Sequence, residues 1–453
     1  MSRNKSITNT AKFIMSILIW TLFVVTWNFF YNSYAFRSHQ DIGFVGTIII
    51  WLIVYFWICD IFKAFSIASS NEFDSIVSQI ICIGITDGLS FVAVCLLSRG
   101  WVDIIPGLLC YICQVIVISV AIILTRKILL AKIVPSNTVV LYGGNYNAEN
   151  AKLFCERLLE KYSHMFAINQ VSDSSAKNVL ELVDSSEQVI MAGVPFEKRK
   201  EIAKYCIDTG KIFYFIPDVE ELIFEKCTVK NLLDTPLKKY YFIDSKKGYL
   251  IAKRIIDILL SGVLTIVAVP FVLIAAIAIK IEDRGPVFFK QLRVTKDEKT
   301  FNIIKLRSMV VDADSHGVVP TSERDSRVTR VGSFIRKTRI DELPQLLNIL
   351  KGDMSFVGPR PERIEHVDMY EAELPSFKYR HMVRGGLTGY AQVYGKYNTS
   401  AEDKLKLDLI YIMNQSIYLD FRLFLLTFRT IFQKESTEGF KNVNVKIDNE
   451  ETA

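Results

Sequence analysis

Asp341 and Glu342 are adjacent carboxylates, with Arg336, Lys337 and Arg339 just before them and Arg360 and Arg363 just after. Two such acids can hold a divalent metal or attack an electrophile. Neighbours on a helix point about 100° apart, so the two take different roles rather than share a proton. The segment that follows reads as a short helix. Leu343, Leu346, Leu347 and Leu350 fall at i, i+3, i+4 and i+7 on one apolar face, Gly352 is the stop, and Pro344 sits in the first turn, where proline is tolerated. The acids thus stand at a helix start, where free N–H groups and the macrodipole favour bound phosphate. Guanidinium forks match phosphate oxygens, and Pro359 and Pro361 stiffen the loop that carries Arg360. Acid pair, cations and rigid loop together point to phosphoryl chemistry. The same residues also fit a capping acid ringed by surface salt bridges, and spacing alone does not separate the two.

Two further stretches add polar groups. "GPVFFKQLRV" and "FNIIKLRSM" alternate apolar and polar residues as a β-hairpin does, with residues 295–299 as the turn. Lys305 and Arg307 lie two apart on one strand face, side by side, either as solvated charges or as phosphate contacts. The turn-rich, basic "RGGLTGYAQVYGK" offers Arg384, Gln392 and Lys396 as nucleotide or sugar contacts.

The elements that must position these residues belong to a membrane protein. With 453 residues, 50% of them hydrophobic, and a mean hydropathy of +0.26, the chain is too long for one ordinary domain and too apolar to be wholly soluble. A net charge of +6 suits anionic lipids or substrates, but it is too mild and dispersed for nucleic acid, for which no aromatic-plus-basic motif is present. Residues 13–31, 42–62, 76–97 and 104–124 are each long and apolar enough to cross a bilayer, giving an N-terminal four-helix transmembrane bundle within residues 1–130. The first span is too long and aromatic-rich for a signal segment and is retained. Arg3, Lys5 and Lys12 before it, and Arg126, Lys127 and Lys132 after the fourth, put both ends in the cytoplasm, with short external loops near residues 32–41 and 98–103. Asp87, inside the third span, reads as paired with Gln114 or set at a bend beside Gly84 and Gly88.

Residues 136–245 read as a separate α/β domain of Rossmann-like type. The strand-like "NTVVLYGG", "QVIMAG" and "KIFYFIP" alternate with the helical "NAENAKLFCERLLEKYS" and "EKRKEIAKYCIDTG". After Gly143 and Gly144 the third fingerprint glycine is missing, which points to a regulatory or assembly role rather than dinucleotide redox chemistry. The eight cysteines are irregularly spaced and read as packing residues, and the five histidines are scattered.

Residues 255–281 could also span, but Pro270 interrupts them and deletes a backbone hydrogen bond. Lys253 and Arg254 flank one side, and Lys280, Arg284, Lys290 and Arg293 the other, so both ends belong in the cytoplasm and the segment at 254–281 reads as re-entrant, bent at Pro270. A full crossing would carry Asp341 outside the cell. Residues 403–432 read as helices lying on the membrane, and residues 433–453 as a polar, disordered tail.

"RKTRIDELPQLLNILKGDMSFVGPRPE" resembles the signature of the bacterial polyprenyl-phosphate glycosyl-1-phosphate transferases, the monotopic phosphoglycosyl transferases of the bacterial sugar transferase family. The similarity runs from about residue 253 to 432 and includes the long apolar stretch from Lys253, "RVTRVGSFIRK" and "GLTGYAQVYG". The large form of that family carries N-terminal spans and a Rossmann-like domain before an α+β catalytic domain, here residues 250–432, with a re-entrant helix. The resemblance implies transfer of a sugar-1-phosphate from a nucleotide diphosphate sugar, such as a UDP-hexose, to undecaprenyl phosphate at the cytoplasmic face of the bacterial inner membrane. It starts capsule, exopolysaccharide or O-antigen repeat units. It makes Asp341 the covalent nucleophile and Glu342 the Mg²⁺ ligand, with Arg336, Arg360 and Lys305 neutralising phosphate. Membrane lipid, a second copy of the chain and downstream glycosyltransferases are the implied partners. Three positions depart from the family's usual pattern: Val269 precedes Pro270 in place of serine, Thr295 replaces glycine, and Gly385 replaces proline. A membrane-anchored sensor or assembly scaffold is the non-enzymatic alternative, against which stand the clustered cations and acid pair.

Overall fold

The computed structural model describes residues 2–31, 40–67, 72–132, 134–144, 146–225, 227–232, 235–239, 247–311, 313, 325–395 and 399–432. Lys396, most of the external loop expected at 32–41 and the expected tail at 433–453 lie outside these residues. The chain falls into two compact units, Met1–Ile216 and Pro217–Phe440.

The first unit begins with long apolar helices: α1 (Ser2–Thr26, continued by a π turn to Tyr31), α2 (Gln40–Phe62), α3 (Glu72–Ser98) and α4 (Ile105–Leu130). Each is long and apolar enough to cross a membrane. Several of their polar side chains turn inward to partners within the helices, while Ile53, Leu89, Val92, Ile112 and Ile116 face out, as a hydrocarbon solvent requires. Tyr55 donates to Gln79 at 2.8 Å, and Gln114 donates to the Ile19 carbonyl at 3.2 Å. Asp87 accepts from the Trp51 indole at 2.8 Å, so its partner is Trp51 rather than Gln114. Of the eight cysteines, all free, Cys113 is exposed on the outer face of α4 instead of packed.

A parallel four-stranded sheet follows, in the order β2-β1-β3-β4, formed by β1 (Ser136–Tyr142), β2 (Phe166–Asp173), β3 (Gln188–Ala192) and β4 (Ile212–Phe215). Helices α5 (Ala148–Tyr162), α6 (Val179–Ser185) and α7 (Phe196–Asp208) connect the strands. Alternate residues of one strand serve opposite cores. Val139 and Leu141 pack with Val183 and Ile202, whereas Val140 packs with Cys155 and Ile190, so both faces of the sheet are covered. At the switch point between β1 and β3 the two glycine turns lean on each other. A Cβ on Gly144, whose φ is +58°, would stand 2.6 Å from the Gly193 carbonyl, and one on Gly193 would meet the Tyr146 ring at 2.5 Å.

The second unit opens with α8 (Val219–Glu225) and an antiparallel pair, β5 (Thr228–Leu232) and β6 (Thr235–Lys239). Next comes α9, a single 37-residue helix from Lys247 to Asp283 with Pro270 inside it. The expected hairpin is present as β7 (Phe288–Val294) paired antiparallel with β8 (Thr300–Leu306). The rest comprises α10 (Arg330–Lys337), α11 (Gln345–Lys351), β9 (Ser355–Val357), α12 (Ile364–Glu373), β10 (Gly386–Thr388), α13 (Tyr390–Tyr394), α14 (Ala401–Met413) and α15 (Ile417–Phe432). Ala275 and Ile279 of α9 pack with Leu306 of β8 and Ile335 of α10. Helix α14 does not lie on a surface as expected. Leu405, Asp408, Leu409 and Tyr411 are buried, because the segment packs inside the unit, and only α15 shows exposed Tyr418, Phe421 and Phe428.

Candidate active site

Asp341 and Glu342 lie in a 3₁₀ turn, Ile340–Glu342, just ahead of α11, and Arg339 enters that turn with φ of 57°. Gly352 ends α11 in the left-handed conformation, as its position suggests. The buried face differs from the leucine stripe. Gln345, Leu346, Asn348 and Ile349 are buried, while Leu347 is 45% exposed. Asn348 explains the rotation. Its side chain accepts from the Ile304 N–H at 3.1 Å and donates to the Asn302 carbonyl at 2.8 Å, pinning α11 to β8 beside Lys305. At the other end, Arg254 of α9 donates to the Ile349 and Leu350 carbonyls at 2.7 and 2.8 Å, satisfying the last turn.

Glu342 is held by cations. Arg360 Nη2 lies 2.6 Å from its Oε1, Lys305 Nζ 3.2 Å from the same oxygen, and Arg339 Nη1 3.9 Å from Oε2. Burial opposes its charge, yet Arg360, Lys305 and Arg339 outweigh burial and hold the carboxyl well below the usual range. Lys305 is itself shifted down by burial, partly offset by Glu342. Asp341 is the opposite case. Burial, then the neighbouring Glu342 charge, pushes its carboxyl up to about 6, and its Oδ1 is buried with no hydrogen-bond partner among the described residues. One acid is locked in an ion network, and the other presents a buried, unpaired oxygen beside it.

Not every expected contact gathers here. Arg336, in the last turn of α10, lies close enough to lower the Asp341 pKa. Arg307 is turned away from Lys305. It forms an ion pair with Asp283 and donates to the Pro286 carbonyl, because β8 ends at Leu306 and the alternation of faces stops there. Arg384 is exposed and lines a cavity of about 350 Å³ whose other walls include Leu250, Ile251 and Val357. Gln392 lies in α13, with its Oε1 buried and without a partner among the described residues.

A second layer carried no local signal in the sequence. Arg380 and Asp408 are each 1% exposed and lie 2.8 Å apart, and Arg380 also donates to the Arg360 carbonyl at 2.9 Å. Glu362 lies 3.5 Å from Lys404, 3.7 Å from Arg380 and 3.8 Å from Arg293. These ions fix the loop that delivers Arg360.

The family model described as Bacterial sugar transferase matches residues 248–434, which contain every residue of this site. The exopolysaccharide production protein PSS of Rhizobium leguminosarum bv. phaseoli is 42% identical over 183 residues, 38% of this chain and 92% of that relative. The chain belongs to the bacterial sugar transferase family. Within the family, the UDP-N-acetylgalactosamine-undecaprenyl-phosphate N-acetylgalactosaminephosphotransferase of Aeromonas hydrophila is 46% identical over 186 residues, 40% of this chain and 44% of the relative. The UDP-glucose:undecaprenyl-phosphate glucose-1-phosphate transferase of Klebsiella pneumoniae is 34% identical over 233 residues, 50% of each chain. The match thus spans about half the length of these two sugar transferases and nearly all of the Rhizobium relative.

Proposed function

We propose that this protein transfers a sugar-1-phosphate from a UDP-sugar to undecaprenyl phosphate through a covalent intermediate on Asp341. The observation that carries the reading is the unpaired, buried Oδ1 of Asp341 beside a Glu342 already neutralised by Arg360 and Lys305. A carboxylate oxygen of Asp341 attacks the sugar-bearing phosphorus. The bond from that phosphorus to the bridging oxygen breaks, and UMP leaves with the electron pair. An anionic oxygen of undecaprenyl phosphate then attacks the same phosphorus and displaces the Asp341 carboxylate, restoring the enzyme. Arg360, Lys305 and Arg336 are the cations that take up charge on the transferred phosphate.

The donor set fits Mg²⁺. Glu342 Oε1 is engaged by Arg360 and Lys305, which leaves Oε2, 3.9 Å from Arg339, as the hard oxygen donor with which Glu342 would hold the ion. When bound, Mg²⁺ supplies neutralisation of the diphosphate. Arg384, on the rim of an apolar cavity beside the start of α9, suits the phosphate of a lipid acceptor better than a nucleotide.

We place the catalytic part, residues 250–432, on the cytoplasmic face of the bacterial inner membrane, with α9 re-entrant and bent at Pro270. Both ends of α9 attach to the same unit, which supports doubling back. Arg254 and Asp257 bond to Ile349 and Phe356 near one end, and Ala275, Ile279 and Asp283 pack or pair with Leu306 and Arg307 near the other. Val263, Ile266, Phe271 and Ile274 between them are exposed. The four N-terminal helices form a membrane bundle within residues 1–130, and the Rossmann-like domain within residues 136–245 serves regulation or assembly. Purified membranes incubated with undecaprenyl phosphate and a panel of radiolabelled nucleotide sugars test the assignment. Label from one UDP-sugar entering the lipid fraction supports it, and no transfer from any sugar overturns it.

A further inference from the structure

We infer that Glu298, Glu371 and His381 form a binding site for a divalent transition-metal ion of the Zn²⁺ kind, separate from the Asp341–Glu342 pair. One ligand atom from each lies within 4.8 Å of the other two. The three residues come from different segments: the 3₁₀ turn Lys296–Glu298 between β7 and β8, helix α12, and the 3₁₀ segment Pro375–Met382. Glu371 Oε1 and His381 Nδ1 stand 3.8 Å apart, too far for a direct hydrogen bond, and each is buried without a partner among the described residues. The His381 side chain is only 7% exposed, so this nitrogen is a desolvated lone-pair or N–H group facing the Glu371 carboxylate.

A neutral imidazole is the form that ligates metal, and the two carboxylates bring negative charge to the same place, with Arg380 the nearby cation that opposes it. Burial, then the Glu298 and Asp368 carboxylates, raises the Glu371 pKa, and Lys378 offsets only part of this. Arg380 is bound to Asp408 and to the Arg360 carbonyl. Zn²⁺ bonds of about 2.0–2.2 Å put neighbouring ligands roughly 3–3.5 Å apart, so small rotations of the three side chains would close the site and leave a position for water. One imidazole with two carboxylates suits Zn²⁺ or Mn²⁺ better than Mg²⁺ or Ca²⁺, which take oxygen ligands. Such an ion would clasp the hairpin turn to the segment that carries Arg380, and through Arg380 it would steady Arg360. Binding itself does not depend on the proposed transferase reaction.

The test uses the full chain in detergent, stripped of metal and titrated with Zn²⁺ alone by calorimetry and thermal unfolding, with Co²⁺ as a spectroscopic substitute. The expected result is one site per chain that raises the melting temperature, and a Co²⁺ spectrum without thiolate charge-transfer bands, which sets the site apart from cysteine binding. Glu298 is exposed, so Glu298→Gln should fold normally and weaken Zn²⁺ binding at least tenfold. His381→Ala should abolish it, and Glu342→Gln should leave it intact. Equal Zn²⁺ affinity in wild type and Glu298→Gln, or no binding in wild type, overturns the assignment.

Discussion

The Gly385 N–H donates to the Thr295 hydroxyl at 3.0 Å in a buried hydrogen bond, and the same hydroxyl donates to the Asp353 carbonyl at 3.1 Å. The sugar transferase motifs usually have glycine at the first of these positions and proline at the second. Neither could make this bond, since glycine has no hydroxyl and proline no N–H. The two departures therefore answer each other, joining the β7–β8 turn to the start of β10. Thr295→Val keeps the shape but leaves the Gly385 N–H and the Asp353 carbonyl unpaired, at a cost of about 1–3 kcal/mol. Thermal unfolding should show that loss, with Thr295→Ser close to wild type. An unchanged melting temperature in Thr295→Val would mean the bond contributes nothing.

Asp341 should cost stability at neutral pH. Its pKa is raised in the folded state from 3.8 to about 6 by burial and then by Glu342. The folded protein therefore keeps a proton that the unfolded chain gives up between those two values. This group's contribution to stability falls as pH rises through that window and stays lost above it. Asp341→Asn removes the effect, so it should stabilise the protein by up to roughly 2–3 kcal/mol near pH 7.5 and by almost nothing near pH 4. Denaturation of both proteins at the two pH values checks this. An equal difference at both would show that Asp341 does not titrate there.

Arg380 and Asp408 form a buried ion pair that also holds the Arg360 carbonyl. Removing one partner strands the other charge, so Asp408→Ala should cost about 3–5 kcal/mol in denaturant unfolding. Turnover should fall with it as Arg360 loses its anchor, and Asp408→Glu should recover part of both. Wild-type stability in Asp408→Ala would contradict the role.

The topology of α9 can be read from thiol labelling. Single cysteines near Lys253 and near Arg284, in a background without the native eight, should both be shielded from an impermeant reagent in intact cells and react after lysis. Labelling of only one in intact cells would mean that the helix crosses. Proline costs a helix about 3 kcal/mol, so Pro270→Leu should push some molecules toward crossing and lower activity.

Much of this architecture was legible because strong periodicity met clear punctuation. The apolar stretches before residue 130, the β7–β8 hairpin, and Gly352 after α11 each announce themselves locally. Strand β2 did not, since it is an edge strand whose polar, half-exposed residues carry little apolar signal. The leucine stripe of α11 misled because Asn348 trades two side-chain bonds to β8 for a buried position that composition assigns to leucine. At the site, the acid pair and Arg360 stood out as a cluster in sequence. Arg254, Arg380 and Asp408 act across long chain separations, and nothing in their own neighbourhoods marks them. Arg307 pairs with Asp283 through a contact that strand spacing could not reveal.

The central claim is that Asp341 carries the sugar phosphate. Intact-mass spectra of the purified protein after incubation with each of a panel of UDP-sugars, without undecaprenyl phosphate, measure this directly. Wild type should gain the mass of one phosphosugar, lost again when undecaprenyl phosphate is added, and Asp341→Asn should gain none. An adduct that persists unchanged in Asp341→Asn would place the nucleophile elsewhere.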